Sequence, residues 1–183
     1  MDQDMEARAV GRGEVLVLVQ RSVRHRDDEL RRGDEVIGWL RFAPGRRSVA
    51  AAWAEATGSL ALTRGRDGVE VRGGPGGAVT LATVERGTRR ANMIRLAGGT
   101  ELGWRRTGHW HRWVIDDHGA ALLGVTAAYR LLEASVLVTA QRSVPEPTGV
   151  LLCLLGGFLA LRSYQEEFDA SGAIGGIVAS GAG

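Results

Sequence analysis

The residues with the clearest capacity for chemistry are arginines, which account for all 23 basic residues of the chain. A guanidinium group is always charged and offers paired donors, so it suits the oxygens of a phosphate. Neighbouring residues of a strand lie on opposite faces, so at most one arginine of an adjacent pair can join a common patch. A solvated charged surface is the competing interpretation. The candidate anion-binding residues are Arg89, Arg90, Arg105 and Arg106.

Two histidines, His109 and His111, stand at positions i and i+2, which share one face of a strand. This spacing can hold a metal ion, and acidic residues at 116 and 117 and His118 follow downstream. Two histidines without a defined third ligand are a weak metal signal. We therefore interpret this stretch as an aromatic hairpin, and we expect no metal and no cofactor.

The chain lacks the motifs of common catalytic sites. No serine or cysteine stands in a GxSxG nucleophile elbow, and the glycine-rich stretch at 72–77 lacks the order of a phosphate-binding loop. We expect that the protein is not an enzyme. A single cysteine, Cys153, allows no internal disulfide and fits a reducing compartment, so we expect a cytoplasmic protein.

Five tryptophans are spread along the chain, as expected for aromatic side chains that fill a barrel core or its rims. A platform that stacks nucleic-acid bases would instead cluster them among basic residues on one face. The net charge is only +2. We expect no nucleic-acid partner. The tryptophans are Trp39, Trp53, Trp104, Trp110 and Trp113.

Every residue from 149 to 161 is apolar or glycine. A helix that is apolar all round must be enclosed by protein or by lipid. Thirteen residues give roughly 20 Å of helix, against roughly 30 Å of bilayer hydrocarbon, so a buried core helix is favoured over a membrane span. The predicted core residues of this helix are Leu151, Leu152, Leu154, Leu155, Phe158 and Leu159.

Short apolar runs with a turn signal about every 8–12 residues fill the chain before this helix, a pattern typical of an antiparallel sandwich or barrel. Residues 15–19 are apolar on both faces, which predicts a strand covered on both sides. Residues 24–35 are highly charged and are predicted to form a loop that ends in a turn at 33–34. Residues 120–140 fit a helix or strands, and we interpret them as two strands bent near Arg130.

These patterns predict a mainly β protein, a closed antiparallel β-barrel of about 11–12 strands around one C-terminal hydrophobic helix. Residues 1–13 are expected to be a flexible lead. Residues 14–168 are expected to form a single domain, with the central helix at about 149–166. Residues 169–183 form a Gly/Ala-rich tail, which is either flexible or laid back over the mouth of the barrel.

Three sequence features resemble one known family. They are the order of elements, the opening DELRRGDEVIGWLRF, and the ending with ELGWRR, HRWVIDD and LLCLLGGFLAL. Over roughly residues 14–161 the chain resembles the tubby C-terminal-like superfamily, which includes LURP-one-related and phospholipid-scramblase-like proteins. The resemblance implies a small bacterial member, with a closed barrel enclosing a hydrophobic helix and an association with phosphoinositides or membranes. The basic headgroup-binding pair of tubby proteins and the cysteine run of scramblases have no counterpart in this chain.

The function expected from the residues and this resemblance is that of a non-enzymatic binding or scaffold barrel. Its partner is expected to be an anionic lipid surface, at the inner face of the membrane, or another protein. One alternative is a tail-anchored membrane protein with residues 149–161 in the bilayer. Another is a structural or assembly subunit whose Gly/Ala tail docks on a neighbour. The oligomeric state is left open.

Overall fold

A computed structural model describes residues 9–20, 27–42, 48–53, 60–64, 68–73, 78–88, 91–108, 111–130 and 133–179. Within them, fourteen strands precede one helix. The first six strands are β1 (Ala9–Val10), β2 (Val15–Gln20), β3 (Asp27–Arg32), β4 (Glu35–Phe42), β5 (Ser48–Trp53) and β6 (Leu60–Arg64). Five more are β7 (Gly68–Gly73), β8 (Val79–Thr88), β9 (Ala91–Leu96), β10 (Glu101–Arg106) and β11 (Arg112–Asp117). The last elements are β12 (Ala120–Arg130), β13 (Glu133–Ala140), β14 (Val144–Pro145) and α1 (Thr148–Ala179).

Antiparallel pairing joins the strands β2 to β13 into one closed barrel. Consecutive strands pair with each other from β2 through β13, and β13 returns to pair with β2 along Ser135↔Val19 and Thr139↔Val15. Every connection in this barrel is therefore a hairpin, and every strand has a partner on both sides. The prediction of a mainly β protein with an antiparallel sheet and one C-terminal helix is confirmed.

The inner face of the barrel and the first half of α1 share one apolar core. Leu16, Leu18, Leu30 and Leu40 alternate with outward residues and are fully buried. Residues 151–160 of α1 are all buried as well. The helix is packed closely, because a Cβ built on Gly157 would lie 2.8 Å from Leu18 Cδ2. The six predicted core residues of the helix all belong to this core.

The prediction that residues 15–19 are covered on both faces is wrong. Leu16 and Leu18 are buried, but Val15 and Val19, on the other face of β2, are 47% and 37% exposed. A barrel strand meets the helix on its inner face only, so its outer valines face solvent. Leu137, on the neighbouring strand β13, is similarly exposed.

The prediction of a charged loop at 24–35 is also wrong, because the middle of this stretch forms strand β3. Leu30 alternates with charged neighbours and enters the core. On the outer face, the Arg31 guanidinium donates to Glu29 Oε2 at 2.7 Å. Backbone pairing with β2 and β4 therefore makes this segment a strand, although its polar composition favours a loop. The predicted turn at 33–34 is confirmed by the positive φ of Gly33.

Residues 120–140 form the two strands β12 and β13, as predicted, with their junction next to Arg130. The helix α1, in contrast, is longer than the predicted 149–166. It begins at Thr148 and continues to Ala179, through most of the predicted tail. No proline interrupts this stretch, and its alanines and glutamates favour helix, so its glycines do not end it.

Part of the predicted flexible lead is ordered, which corrects that prediction for residues 9 and 10. Strand β1 pairs with β14, with Val10 opposite Val144. Val10 is buried against the start of the helix, where a Cβ built on Gly149 would lie 2.7 Å from Val10 Cγ2 and 2.9 Å from the Val144 carbonyl oxygen. The β1–β14 pair thus covers the end of the barrel at which α1 begins.

Burial of the helix predicts a large loss of stability when a charge is placed within it. Leu155 is 1% exposed, so Leu155→Asp buries an unpaired carboxylate and is expected to lower the free energy of unfolding by about 3–5 kcal/mol. Urea unfolding measures the difference. Leu137→Asp, on the outer face, is the control and is expected to change it by less than about 1 kcal/mol. An unchanged unfolding midpoint for Leu155→Asp would contradict the buried helix.

The contact between Gly149 and β1 gives a second test of the fold. Gly149→Ala places a methyl group against Val10 and a backbone carbonyl, and is expected to destabilise the protein by about 1–3 kcal/mol. Gly98→Ala is the matched control, because a Cβ built there has no neighbour within 4 Å. Thermal unfolding compares the two variants, and equal midpoints would mean that β1 does not pack on the helix.

Candidate functional site: the arginine-rich end of the barrel

The two ends of the barrel differ in how they are closed. At one end, here called the plugged end, β1 and β14 pack over the start of α1. The helix advances from Gly149 to Arg162 by about 20 Å, which matches the length of six-residue strands such as β2. Leu161, Arg162 and Ser163 are only partly buried, so α1 reaches the opposite end at these residues.

The opposite end carries an excess of arginine on the strands themselves. The two terminal residues of each barrel strand at this end include six arginines and three acidic residues, Asp27, Asp28 and Glu133. The same count at the plugged end gives four arginines and four acidic residues, which balance. We call this end the arginine-rich end, and its strand residues are Arg41, Arg64, Arg105, Arg106, Arg112 and Arg130.

The chain segments that join strands at this end are also rich in arginine. Chain connectivity assigns to it the segments 21–26, 43–47, 65–67, 89–90, 109–110 and 131–132, whose conformations lie outside the described residues. Their sequences contain one acidic residue, Asp67, and eight arginines: Arg21, Arg24, Arg26, Arg46, Arg47, Arg66, Arg89 and Arg90. The segments that join barrel strands at the plugged end, 33–34, 54–59, 74–78, 97–100 and 118–119, contain no arginine and two acidic residues, Asp34 and Glu55.

Of the four predicted anion-binding residues, the structure describes Arg105 and Arg106, at the end of β10. Arg89 and Arg90 lie outside the described residues, in the segment between β8 and β9. Arg105 is on the outer face of β10. Arg106 lies opposite Trp113 in the register and two residues from the buried Trp104, which places it on the inner side. As expected for a strand, the two neighbours are on opposite faces.

Arg105 is engaged in a salt bridge on the barrel wall. Its Nε donates to Asp116 Oδ2 at 2.6 Å, and the other oxygen of this carboxylate accepts from the Gly119 amide at 2.8 Å. Asp116 is buried, so the pair is held in a fixed geometry. Gly103 makes room for it, because a Cβ there would lie 3.1 Å from Asp116 Oδ1. Arg105 therefore supports the wall more than it serves a ligand.

The predicted histidine hairpin is only partly described, since residues 109 and 110 lie outside the described ranges. His111 has a positive φ of 39° and lies beside Trp113, with ring centroids 6.3 Å apart. Asp116 and His118 are at the plugged end of β11, about 17 Å away along the strand, so they cannot share a metal with His111. Among the described residues, no group of His, Cys, Asp or Glu is arranged to hold a metal ion.

The described tryptophans pack against other side chains of the barrel. Trp104 and Trp113 stack inside the barrel with centroids 5.9 Å apart and planes at 5°. A Cβ built on Gly156 would lie 3.7 Å from the Trp104 ring, so this stack packs on the helix. Trp39 lies on the outer face, where the Arg41 guanidinium is 5.0 Å from its ring centroid. The remaining two tryptophans are not among the described side chains.

An ion-pair network at the plugged end was missed by sequence reasoning. Arg32 donates to Glu14 Oε1 at 2.5 Å and to Glu146 Oε1 at 2.6 Å. Burial disfavours the charge of Arg32, but the hydrogen bond to Glu146 and the charge of Glu14 outweigh it, so the Arg32 pKa is raised. The partners are 18 and 114 residues apart in the chain, so no local pattern reveals them. The network ties the end of β3 to the turn between β1 and β2 and to the residue that follows β14.

Cys153 lies in the core, next to this network. Desolvation raises the pKa of its thiol to about 12, and the charge of Glu14 adds to the effect. A thiol with so high a pKa is almost entirely protonated near neutral pH and is a poor nucleophile. Its place in the structure is that of a small apolar side chain.

Comparisons with known proteins identify no relative: no family model, no curated protein and no solved structure matches this chain. In the described part of the chain, no helix has both the length and the apolar composition needed to span a bilayer. The site is therefore defined by geometry and charge alone.

Loss of Arg32 leaves two partly buried carboxylates side by side without their shared cation. Arg32→Gln is expected to lower the free energy of unfolding by about 1–3 kcal/mol, less than for a fully buried pair because these side chains retain some solvent contact. Arg12→Gln, on the exposed turn between β1 and β2, is the control and is expected to stay within about 0.5 kcal/mol of the parent. Equal stabilities for both variants would show that the network does not hold the plug.

The raised pKa of Cys153 predicts a loss of stability in alkali. The unfolded thiol ionises near its ordinary pKa of 9.0, whereas the folded thiol stays protonated up to about 12. The unfolded state therefore releases a proton first, and the free energy of unfolding should fall between these values by up to about 1.4 kcal/mol per pH unit. Denaturant unfolding at increasing pH measures this slope, and Cys153→Ala should reduce it. The same slope in both proteins would contradict the burial of the thiol.

Proposed function

We propose that this protein is a non-enzymatic binding barrel that attaches to anionic lipid headgroups through its arginine-rich end, at the inner face of the cytoplasmic membrane. The observation that carries the proposal is the charge difference between the two ends of the barrel. Arginines on the strand termini and in the joining segments collect at one end, while charges at the plugged end balance.

The physical basis is the attraction between guanidinium groups and phosphate oxygens. Each arginine near an anionic membrane surface contributes about 1 kcal/mol, and this attraction falls off within a Debye length of about 10 Å at 0.1 M salt. Arginines spread over the whole surface would not act together at such short range. A collection of them at one end of a rigid barrel can contact the same membrane surface at once.

The filled interior supports binding at the end of the barrel over binding within it. Residues 151–160 of α1 occupy the space between the strands, and Gly156 and Gly157 let the helix pack closely on Trp104 and Leu18. Asp116, one of the two buried polar side chains among the described residues, belongs to the barrel wall, where it is paired with Arg105. The filled interior supports a structural role for α1 within the barrel.

We also propose that the barrel around α1 is the barrel of the tubby C-terminal-like superfamily. The order of elements supports this assignment, with twelve antiparallel barrel strands followed by an apolar helix. The burial of residues 151–160 favours a core helix over the alternative of a tail anchor at 149–161. The assignment adds an expected association with membranes to the charge argument.

A protein partner is the second candidate, favoured by the outer face of β2 and β13. Val15, Val19 and Leu137 are each more than one third exposed and lie on adjacent strands. Exposed apolar side chains that are contiguous on a sheet can mark a protein interface. The native mass compared with 19.5 kDa distinguishes a self-associating subunit from a monomer.

Flotation of the full-length protein with lipid vesicles tests the proposed function. The protein should float with vesicles that contain phosphatidylserine at low salt, and should be released at high salt because the attraction is electrostatic. Neutral phosphatidylcholine vesicles should leave it in the soluble fraction at either salt concentration. Failure to float with anionic vesicles at low salt would contradict lipid binding.

Charge reversal at the two ends locates the binding surface. Arg89→Glu with Arg90→Glu at the arginine-rich end is expected to weaken binding to anionic vesicles at least about tenfold. Arg12→Glu with Arg142→Glu at the plugged end changes the net charge equally, and both residues are exposed, so this pair is the matched control. An equal loss in both double variants would show that net charge, and not the arginine-rich end, drives binding.

A further inference from the structure

The helix α1 leaves the barrel at the arginine-rich end. It begins under the plug, is buried through Ala160, and becomes partly exposed at 161–163. It then continues to Ala179, sixteen residues past Ser163, which corresponds to about 24 Å of helix. The C-terminal part of the helix and the arginines therefore share one end of the molecule.

The composition of this emerging part changes along its length. Three acidic residues, Glu166, Glu167 and Asp169, come first, within about two turns of Ser163 along the helix. Residues 170–179, with the sequence ASGAIGGIVA, contain no charged residue and include Ile174, Ile177 and Val178. Along its sequence, the emerging helix thus carries acidic residues first and an uncharged segment after them.

We propose that residues 170–179 of α1 insert into the interfacial layer of the anionic bilayer to which the arginine-rich end binds. This inference rests on the proposed function and deepens it by adding an apolar contact to the electrostatic one. A membrane that approaches the arginine-rich end meets the uncharged end of the helix first. The nearby arginines offset the charge of the three acidic residues, which the anionic surface alone would repel.

The proposed contact fits the physical limits of the segment. Ten residues form about 15 Å of helix, half of the roughly 30 Å of bilayer hydrocarbon, so the segment enters one leaflet and does not cross. Its few branched side chains give weak binding alone. Peripheral proteins commonly combine one weak apolar contact with a basic patch to reach stable attachment. Both elements lie at the same end of this barrel.

A fluorescent label on each end of the molecule tests the inference. The full-length variants Ser171→Cys and Ser143→Cys are labelled with the polarity-sensitive dye NBD, and each is mixed with phosphatidylserine-containing or phosphatidylcholine vesicles. Ser143 is exposed at the plugged end and is the matched control. Because Cys153 is buried with a raised pKa, the wild-type protein should take up little dye, which is measured in parallel.

The expected result is a blue shift and a several-fold rise in emission at position 171 with anionic vesicles, and no change at position 143. Flotation of the same labelled samples separates the two proposals. Flotation with no response at position 171, or with a response at position 143, would overturn the inserted segment while leaving lipid binding in place. Failure of both labelled proteins to float would overturn the proposed function and the inserted segment together.

Discussion

The rest of the structure depends on the burial of a helix that has no polar side. From Gly149 to Leu161 every residue is apolar or glycine, and residues 151–160 are buried. Burying one leucine contributes about 1.5–3 kcal/mol relative to leaving it in water, so the whole segment is a dominant stabilising element. A flat sheet would cover only one side of such a helix. A barrel of twelve strands surrounds it, and the glycines at 156 and 157 allow the close approach that fills the interior.

Enclosure of the helix also determines where function can reside. With the interior filled, the surfaces left for a partner are the outer wall and the two ends. The plugged end is closed by β1 and β14 and tied to the barrel wall through Arg32, with its charges balanced. The opposite end is rich in arginine, and α1 leaves the barrel there. The helix α1 begins under the plug and leaves the barrel at the arginine-rich end. The proposed electrostatic contact and the proposed apolar contact therefore lie at the same end of the molecule.

The strand boundaries and the core helix can be predicted from the sequence, because each depends on a short stretch of neighbouring residues. Turn residues delimit the strands, and the uniform hydrophobicity of 149–161 identifies the core helix. Strand β3 was missed because its stability comes from pairing on both sides, although its composition is that of a loop. The exposed outer face of β2 was missed for a related reason, since apolar residues on both faces do not show which face meets the helix. The arginine-rich end is a product of topology: Arg41, Arg106 and Arg130 are far apart in the chain, and only the alternation of strand direction brings them to one end.

The central claim is that residues 149–161 form the core of the protein, and native-state hydrogen exchange tests it most directly. Amides of a helix enclosed by the barrel exchange only when the whole molecule unfolds, so their opening free energy should equal the global free energy of unfolding measured in denaturant. We predict this equality for residues 152–160, in the absence of detergent and lipid. Exchange of these amides at a much lower opening free energy, while the barrel strands remain protected, would contradict the enclosed helix.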